Sequence, residues 1–405
     1  MHKRTSIYTF VNINSIELGL INTETDELVQ ISLESLKDYP GGKPQHSWIT
    51  PDAKTIYVSV DASPPNAAAV IVINVERVKW SQGQADLTIE KVLILEPPGT
   101  PSTYPPVQQV EPKFPIASWT IREFTQAHGP TFLPDSFYTY VTQWTDNRIR
   151  VIDRRTNDLL AFEPFVFGQK SLQTHGVNFN PSGTLALGTG YFYDNNEIDV
   201  YSVNKSTGRL YYEYSIELQG KYGYAAFTHY TLWLNNRYAL TAAMQLGPTS
   251  FTLPSQEILG QSVWLLDVVS QDAQQIIGPA KKAEARGIFR SPSDLTVAGN
   301  KLYVAEEDSL GETFGRDGYV SVFDISNMYR PEFIKRFQPG EELPADFAVA
   351  HGISVTPDER NVYVASYASN YIIKIDTLQD KVVKVYSAKD GLDAPHGGFM
   401  TGQYR

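Results

Sequence analysis

Seven histidines and no cysteine set the limits of what this chain can do chemically. Without thiols there are no disulfides, iron–sulfur clusters, thiolate zinc sites or cysteine nucleophiles. A soft metal has only imidazole to bind. His2 lies at the extreme terminus. The other six, His46, His128, His175, His229, His351 and His396, each open a similar segment. After His128, His175, His229 and His351 a turn residue follows six positions later (Pro134, Pro181, Asn235, Pro357). After His46 it follows five positions later, at Pro51, a slip of one. One further segment has Ser293 where the histidine should stand, with Asp294 beside it. Six imidazoles at equivalent points suit copper, zinc, iron or nickel, whereas magnesium and calcium prefer oxygen donors. Each ligand must be neutral, so binding is expected to fail as pH drops below about 6.5. The set exceeds the demand of one tetrahedral zinc. The expected complement is one to three copper ions, with iron or zinc as alternatives. Two other readings stay open: an anion or polar ligand on partly protonated rings, and a water-filled structural ring.

The elements that must position these residues are repeats. His351-Gly352 leads through Pro357-Asp358 into NVYVASYASNYIIKIDTLQDKVVKVY, and His128-Gly129 leads through Pro134-Asp135 into FYTYVTQWTDNRIRVIDRRTNDLLAF. His175-Gly176 opens a third copy. Each unit alternates β-branched and aromatic residues with polar ones between turn residues, which reads as four short strands. Four strands per repeat make one blade of a β-propeller. The amino-terminal segments SIYTFVN, SIELGLIN and LVQISL lack a first strand, and Pro395 to Met400 supplies it. The predicted fold is therefore all-β: a seven-bladed β-propeller of four-stranded blades, closed by the C-terminal strand joining the N-terminal blade. The expected blades are 394–405 plus 5–33, 45–97, 127–168, 174–220, 225–280, 291–340 and 350–391, all in one domain of 1–405. A Pro-rich insertion at 97–115 and a second one at 247–261, within blade five, interrupt the repeat. In a propeller the first strand of each blade is innermost. Six histidines at its start should therefore ring one mouth of the central channel, and the glycines that follow four of them permit close backbone approach there.

The composition is that of a soluble globular protein: 405 residues, 42% hydrophobic, formal net charge −11. The acidic balance, with no basic block, argues against nucleic acid as a partner. No run of apolar residues is long enough for a signal peptide at the start or for a membrane span. The expectation is a soluble protein, periplasmic if a signal was trimmed and otherwise cytoplasmic, without membrane insertion. No Gly-rich phosphate loop joins a strand to a helix, so nucleotide binding is unsupported.

The pattern HGxxxxPDxxxVYVxxxxxxxIxxID, clearest from His351 to Asp376, resembles YVTN-type propeller repeats, which implies the fold alone. The histidine ring resembles copper propeller enzymes, notably thiocyanate dehydrogenase and the catalytic domain of nitrous oxide reductase. By position, that resemblance implies His46, His128, His175, His229, His351 and His396 as ligands of a multinuclear copper centre. The absence of cysteine and the length exclude a full nitrous oxide reductase with its second copper domain. The ending Ala394-Pro395-His396-Gly397 and the phrase Phe323-Asp324-Ile325-Ser326 are more remotely similar to selenium-binding protein and methanethiol oxidase.

Around the ring, Asp294 is a catalytic candidate, either completing a metal shell or acting as base for an attacking water. Glu306, in an acidic run with Glu307 and Asp308, is a second. Lys43, Arg290 and Trp144 are the substrate-binding candidates. The expected function is a copper-dependent oxidoreductase acting on a small inorganic or sulfur-containing substrate, with an electron-acceptor protein as partner. The alternatives are a metal-independent lactonase or cyclase-type propeller, and a non-catalytic ligand- or protein-binding one.

Overall fold

The computed structural model describes residues 6–61, 67–95, 127–143, 148–160, 165–166, 174–190, 197–220, 223–224, 228–244, 262–278, 292–307 and 318–400. The two insertions, 97–115 and 247–261, lie wholly outside the described residues.

Alternation with period two explains the architecture. In the second strand of blade seven, Asn361–Ser366, Val362 and Val364 pack in one hydrophobic cluster with blade six, while Tyr363 and Ala365 pack in another with blade one. Successive side chains of a strand point to opposite faces, so each blade serves two neighbours. The described residues form seven such clusters, each joining two successive blades, the last joining blade seven to blade one. The core is thus not a single centre but a set of sheet-on-sheet contacts around an axis.

Five sheets of blade type and one eight-stranded sheet make up this ring. The eight-stranded sheet is two blades linked by a single parallel pair, Gly398 with Ser47. The fold is therefore a seven-bladed β-propeller of four-stranded blades. Pro395–Met400 pairs antiparallel with Ile7–Asn12, so strands from both ends of the chain build blade one. This pairing covers an edge that would otherwise present unpaired backbone groups.

The repeated sequence signals have local causes. In the Pro-Asp turns, the Thr50 and Thr356 hydroxyls donate to Asp52 Oδ1 at 2.6 Å and Asp358 Oδ1 at 2.7 Å. The aspartate closing the third strand caps the next turn: Asp376 Oδ1 accepts from the Leu378 and Gln379 backbone N–H groups at 2.9 and 2.8 Å. Asp153, Asp267 and Asp324 do the same in their blades. These are Asx turns, which let a short polar side chain replace a backbone turn bond. Among the described residues no helix is long and apolar enough to cross a membrane.

Candidate metal centre

The seven inner strands are Lys43–Ile49, Ala127–Phe132, Thr174–Phe179, Thr228–Trp233, Pro292–Ala298, His351–Val355 and Pro395–Met400. Every one of them shifts register at or beside its histidine, or beside Asp294 in blade six. In blade three, His128 and Gly129 together stand opposite the single residue Thr142. Such a bulge breaks the pleat and re-aims a side chain that would otherwise lie on a blade face. In blade two the irregularity falls one residue earlier, between Pro44 and His46. That absorbs the one-residue slip seen in the sequence.

The result is a closed loop of six imidazoles in chain order. Ring centroids are 4.2 Å apart for His46–His128, 3.8 Å for His128–His175 and 4.1 Å for His175–His229. They are 5.1 Å apart for His229–His351, 4.5 Å for His351–His396 and 4.5 Å for His396–His46. The widest step spans blade six, where Asp294 stands in place of a histidine. Its Oδ1 lies 3.2 Å from His229 Nδ1, and its Oδ2 accepts the Gly352 N–H at 2.7 Å.

Hydrogen bonding fixes the tautomers. His396 Nδ1 stands 2.6 Å from the Gln45 carbonyl, His175 Nδ1 3.3 Å from the His229 carbonyl, and His229 Nδ1 3.2 Å from the Ser293 carbonyl. His351 Nδ1 meets Glu307 Oε2 at 2.9 Å. Carbonyls and carboxylates only accept, so all four Nδ1 atoms carry a proton, and Nε2 is the atom that holds the lone pair whenever the ring is neutral. That is the outer-sphere arrangement of metal-binding histidines. On the other side, His46 Nε2 and His128 Nε2 approach to 2.9 Å. The ligand atoms of His229, Glu307 and His351 all lie within 4.8 Å of one another, and all three residues are buried. Two imidazoles and a carboxylate fit a divalent transition metal.

The charges fit as well. Burial, with the neighbouring imidazoles, holds His46, His128 and His175 well below the usual histidine pKa. Burial, with His351 beside it, takes His396 down to about 3. Four rings are thus neutral and fit to ligate at neutral pH. Burial also opposes protonation of His351, but the Glu307 carboxylate and Asp294 outweigh it and raise the pKa to about 9. Burial opposes ionisation of Asp294 and Glu307, yet contacts with His229 and His351 win and hold both carboxyls below their usual range. Two buried carboxylates beside a single protonated imidazole leave a net negative charge that a bound cation would offset.

Glycine makes the ring possible at two points. Gly352 and Gly397 have φ of +77° and +46°, and the Gly397 backbone lies so close to His46 that a Cβ would sit 1.9 Å from Nδ1. Only glycine combines that conformation with that approach.

The structure brings Asp294 together with the six histidines, and differs from the sequence reading in its second carboxylate. Glu306 turns away from the ring, accepting from the Ser321 hydroxyl and pairing with Arg336 at 2.7 Å. Its neighbour Glu307 faces the ring instead, because adjacent side chains of a strand point to opposite sides. Tyr367 donates its hydroxyl to Glu307 Oε1 at 2.6 Å and packs 5.5 Å from both His351 and His396. The acidic run was visible in the sequence; which member faces inward depended on strand register. Lys43 is exposed at the start of its strand, paired in register with Asp61. Arg290 and Trp144 lie outside the described residues.

Neither a protein-family model nor a curated protein matches this chain. Solved structures do match in shape. A functionally unknown protein from Desulfotomaculum acetoxidans has a TM-score of 0.63 at 13% identity, covering 97% of this chain and 98% of its own. A candidate 6-phosphogluconolactonase from Bacteroides fragilis has a TM-score of 0.63 at 13% identity, covering 99% and 98%. A hypothetical selenium-binding protein from Sulfolobus tokodaii has a TM-score of 0.59 at 12% identity, covering 99% and 94%. At such identity these likenesses define the class of fold, a β-propeller spanning the chain, and the site must be read from its own residues.

Proposed function

We propose that the histidine ring is a transition-metal centre and that the protein is an enzyme acting there on a small molecule. One observation carries this reading: a closed loop of six imidazoles, four of them with Nδ1 anchored so that each ring, when neutral, presents Nε2 to a metal. Asp294 and Glu307 supply the compensating negative charge. In its finer form the reading is a copper-dependent oxidoreductase with one to three ions on His46, His128, His175, His229, His351 and His396. The substrate class is a small inorganic or sulfur-containing molecule, and electrons leave to an acceptor protein. Copper is favoured by the imidazole-rich donor set, while iron and zinc also suit the pair of imidazoles with one carboxylate. Bound metal would polarise substrate or water, and Asp294 would take the proton.

The second reading is metal-independent lactone hydrolysis, with His351 and Glu307 as acid and base. It is favoured by the full-length likeness to candidate 6-phosphogluconolactonases and by the 2.9 Å contact within that pair. One experiment separates the two. Metal is quantified after incubation with copper, iron and zinc, for the native chain and for a His46→Ala/His175→Ala/His351→Ala variant. Lactone hydrolysis is then assayed with and without chelator. Stoichiometric metal that the variant loses supports the first reading. Substoichiometric metal with chelator-insensitive hydrolysis overturns it in favour of the second.

A further inference from the structure

The inner strands continue past the ring into a cavity of about 340 Å³, within the size range of small-molecule sites. Trp48, Phe132, Phe179 and Trp233 contribute aromatic walls, and the cavity meets solvent beside the exposed turn residues Asn235, Asn300 and Pro357. It lies on the far side of the ring: Trp48 follows His46 by two residues, Phe132 follows His128 by four, and Pro357 follows His351 by six.

Three lining hydroxyls stand out. Those of Thr131, Thr296 and Tyr230 have no hydrogen-bond partner among the described residues. Thr131 is only 8% exposed and Thr296 only 1%. These hydroxyls are reachable from the cavity, so a ligand that excludes water from them must both donate and accept, or leave each unpaired at a cost of about 1–3 kcal/mol. Among the described residues the lining contains no lysine or arginine, and its one charged residue there is Glu359, whose Oε2 accepts the Gly299 N–H at 2.7 Å. Nothing there compensates an anion.

We propose that this cavity binds an uncharged, hydroxyl-bearing aromatic small molecule, its ring against the aromatic walls and its hydroxyls on Thr131, Thr296 and Tyr230. The site uses none of the six histidines and needs no metal, so it stands or falls apart from the metal reading.

The test is calorimetric titration of the metal-free full chain with 4-hydroxybenzyl alcohol and, in parallel, with 4-hydroxybenzoate. Saturable binding of the alcohol is expected, with the carboxylate weaker by at least about tenfold for want of a counter-charge. Thr131→Val and Thr296→Val should each weaken the alcohol by about 3- to 10-fold, the value of one hydrogen bond. Thr231→Trp, which fills the cavity, should abolish binding. Circular dichroism melting establishes that each variant is folded, and the two valine variants decide the matter if the tryptophan variant is not. Absence of saturable binding at millimolar concentration, equal binding of the carboxylate, or unchanged affinity in the valine variants makes the cavity a solvent-filled vestibule and overturns the proposal.

Discussion

His351 Nδ1 stands 2.9 Å from Glu307 Oε2, with both side chains buried. The two come from neighbouring blades: Glu307 ends a strand of blade six and His351 begins one of blade seven. This pair bears on the charge of the metal-free ring, because the carboxylate keeps His351 protonated while burial keeps His46, His128, His175 and His396 neutral.

Glu307→Gln should therefore lower the His351 pKa from about 9, since Asp294 alone then opposes the effect of burial. It should also weaken metal binding by about 10- to 100-fold. Histidine-selective NMR titration of the metal-free protein reads the first effect and competition with a chelating dye reads the second. Glu306→Gln is the control. It disturbs the buried Arg336 pair and so should lower stability while leaving the His351 titration in place. If the two substitutions exchange these effects, the assignment of Glu307 to the ring is wrong.

Stability of the metal-free protein should peak near neutral pH. His396, held at about 3, stays neutral on folding while the unfolded chain binds protons below about pH 6.5. His46, His128 and His175 share that direction. Stability therefore falls as pH drops from about 6.5 towards 3, with several protons contributing. His351 acts in the opposite sense: its contribution is complete below the unperturbed 6.5 and disappears as pH rises through about 9. Urea unfolding at a series of pH values measures both limbs, the acid limb being the steeper. A rise in stability between pH 7 and 5 would contradict the buried neutral ring.

Gly397→Ala should displace His46. The left-handed backbone costs about 1–2 kcal/mol for a residue with Cβ, and that Cβ would overlap Nδ1. Overpacking of this kind adds about 1–3 kcal/mol. Gly83 offers a comparison, with φ of +62° and nothing within 4 Å of where a Cβ would stand. Gly83→Ala should show the backbone cost alone and keep full metal capacity. Equal losses of stability and of metal in both variants would sink the packing explanation.

Removal of residues 395–405 should unfold or aggregate the chain. It deletes His396 and leaves Ile7–Asn12 without its inner partner, exposing a buried strand edge. His396→Ala separates the two losses, because it should reduce metal binding but retain the cooperative fold. Size-exclusion chromatography with thermal melting distinguishes them, and a truncated chain that stays monomeric with an unchanged melting temperature would deny the closure its structural role.

Much of this was legible in the sequence. Period-two alternation, Pro-Asp turns and the recurring Ile-Asp step mark strands and Asx turns because their causes are local: side-chain direction and short-range hydrogen bonds. The absence of cysteine and the shared placement of six histidines fixed the donor type and the blade position from which it projects. Only the tertiary structure decided how those donors are held. Each bulge arises from how an inner strand pairs with its neighbour and packs at the crowded axis, and it determines where an imidazole points. The anchoring acceptors come from adjacent blades, as with His351 on Glu307 and His396 on the Gln45 carbonyl. The choice between Glu306 and Glu307 turns on a single-residue register, which flips a side chain from one face to the other. Composition specifies what can bind; the closed ring alone brings segments far apart in the chain within contact distance and removes them from water, which is what sets their charge.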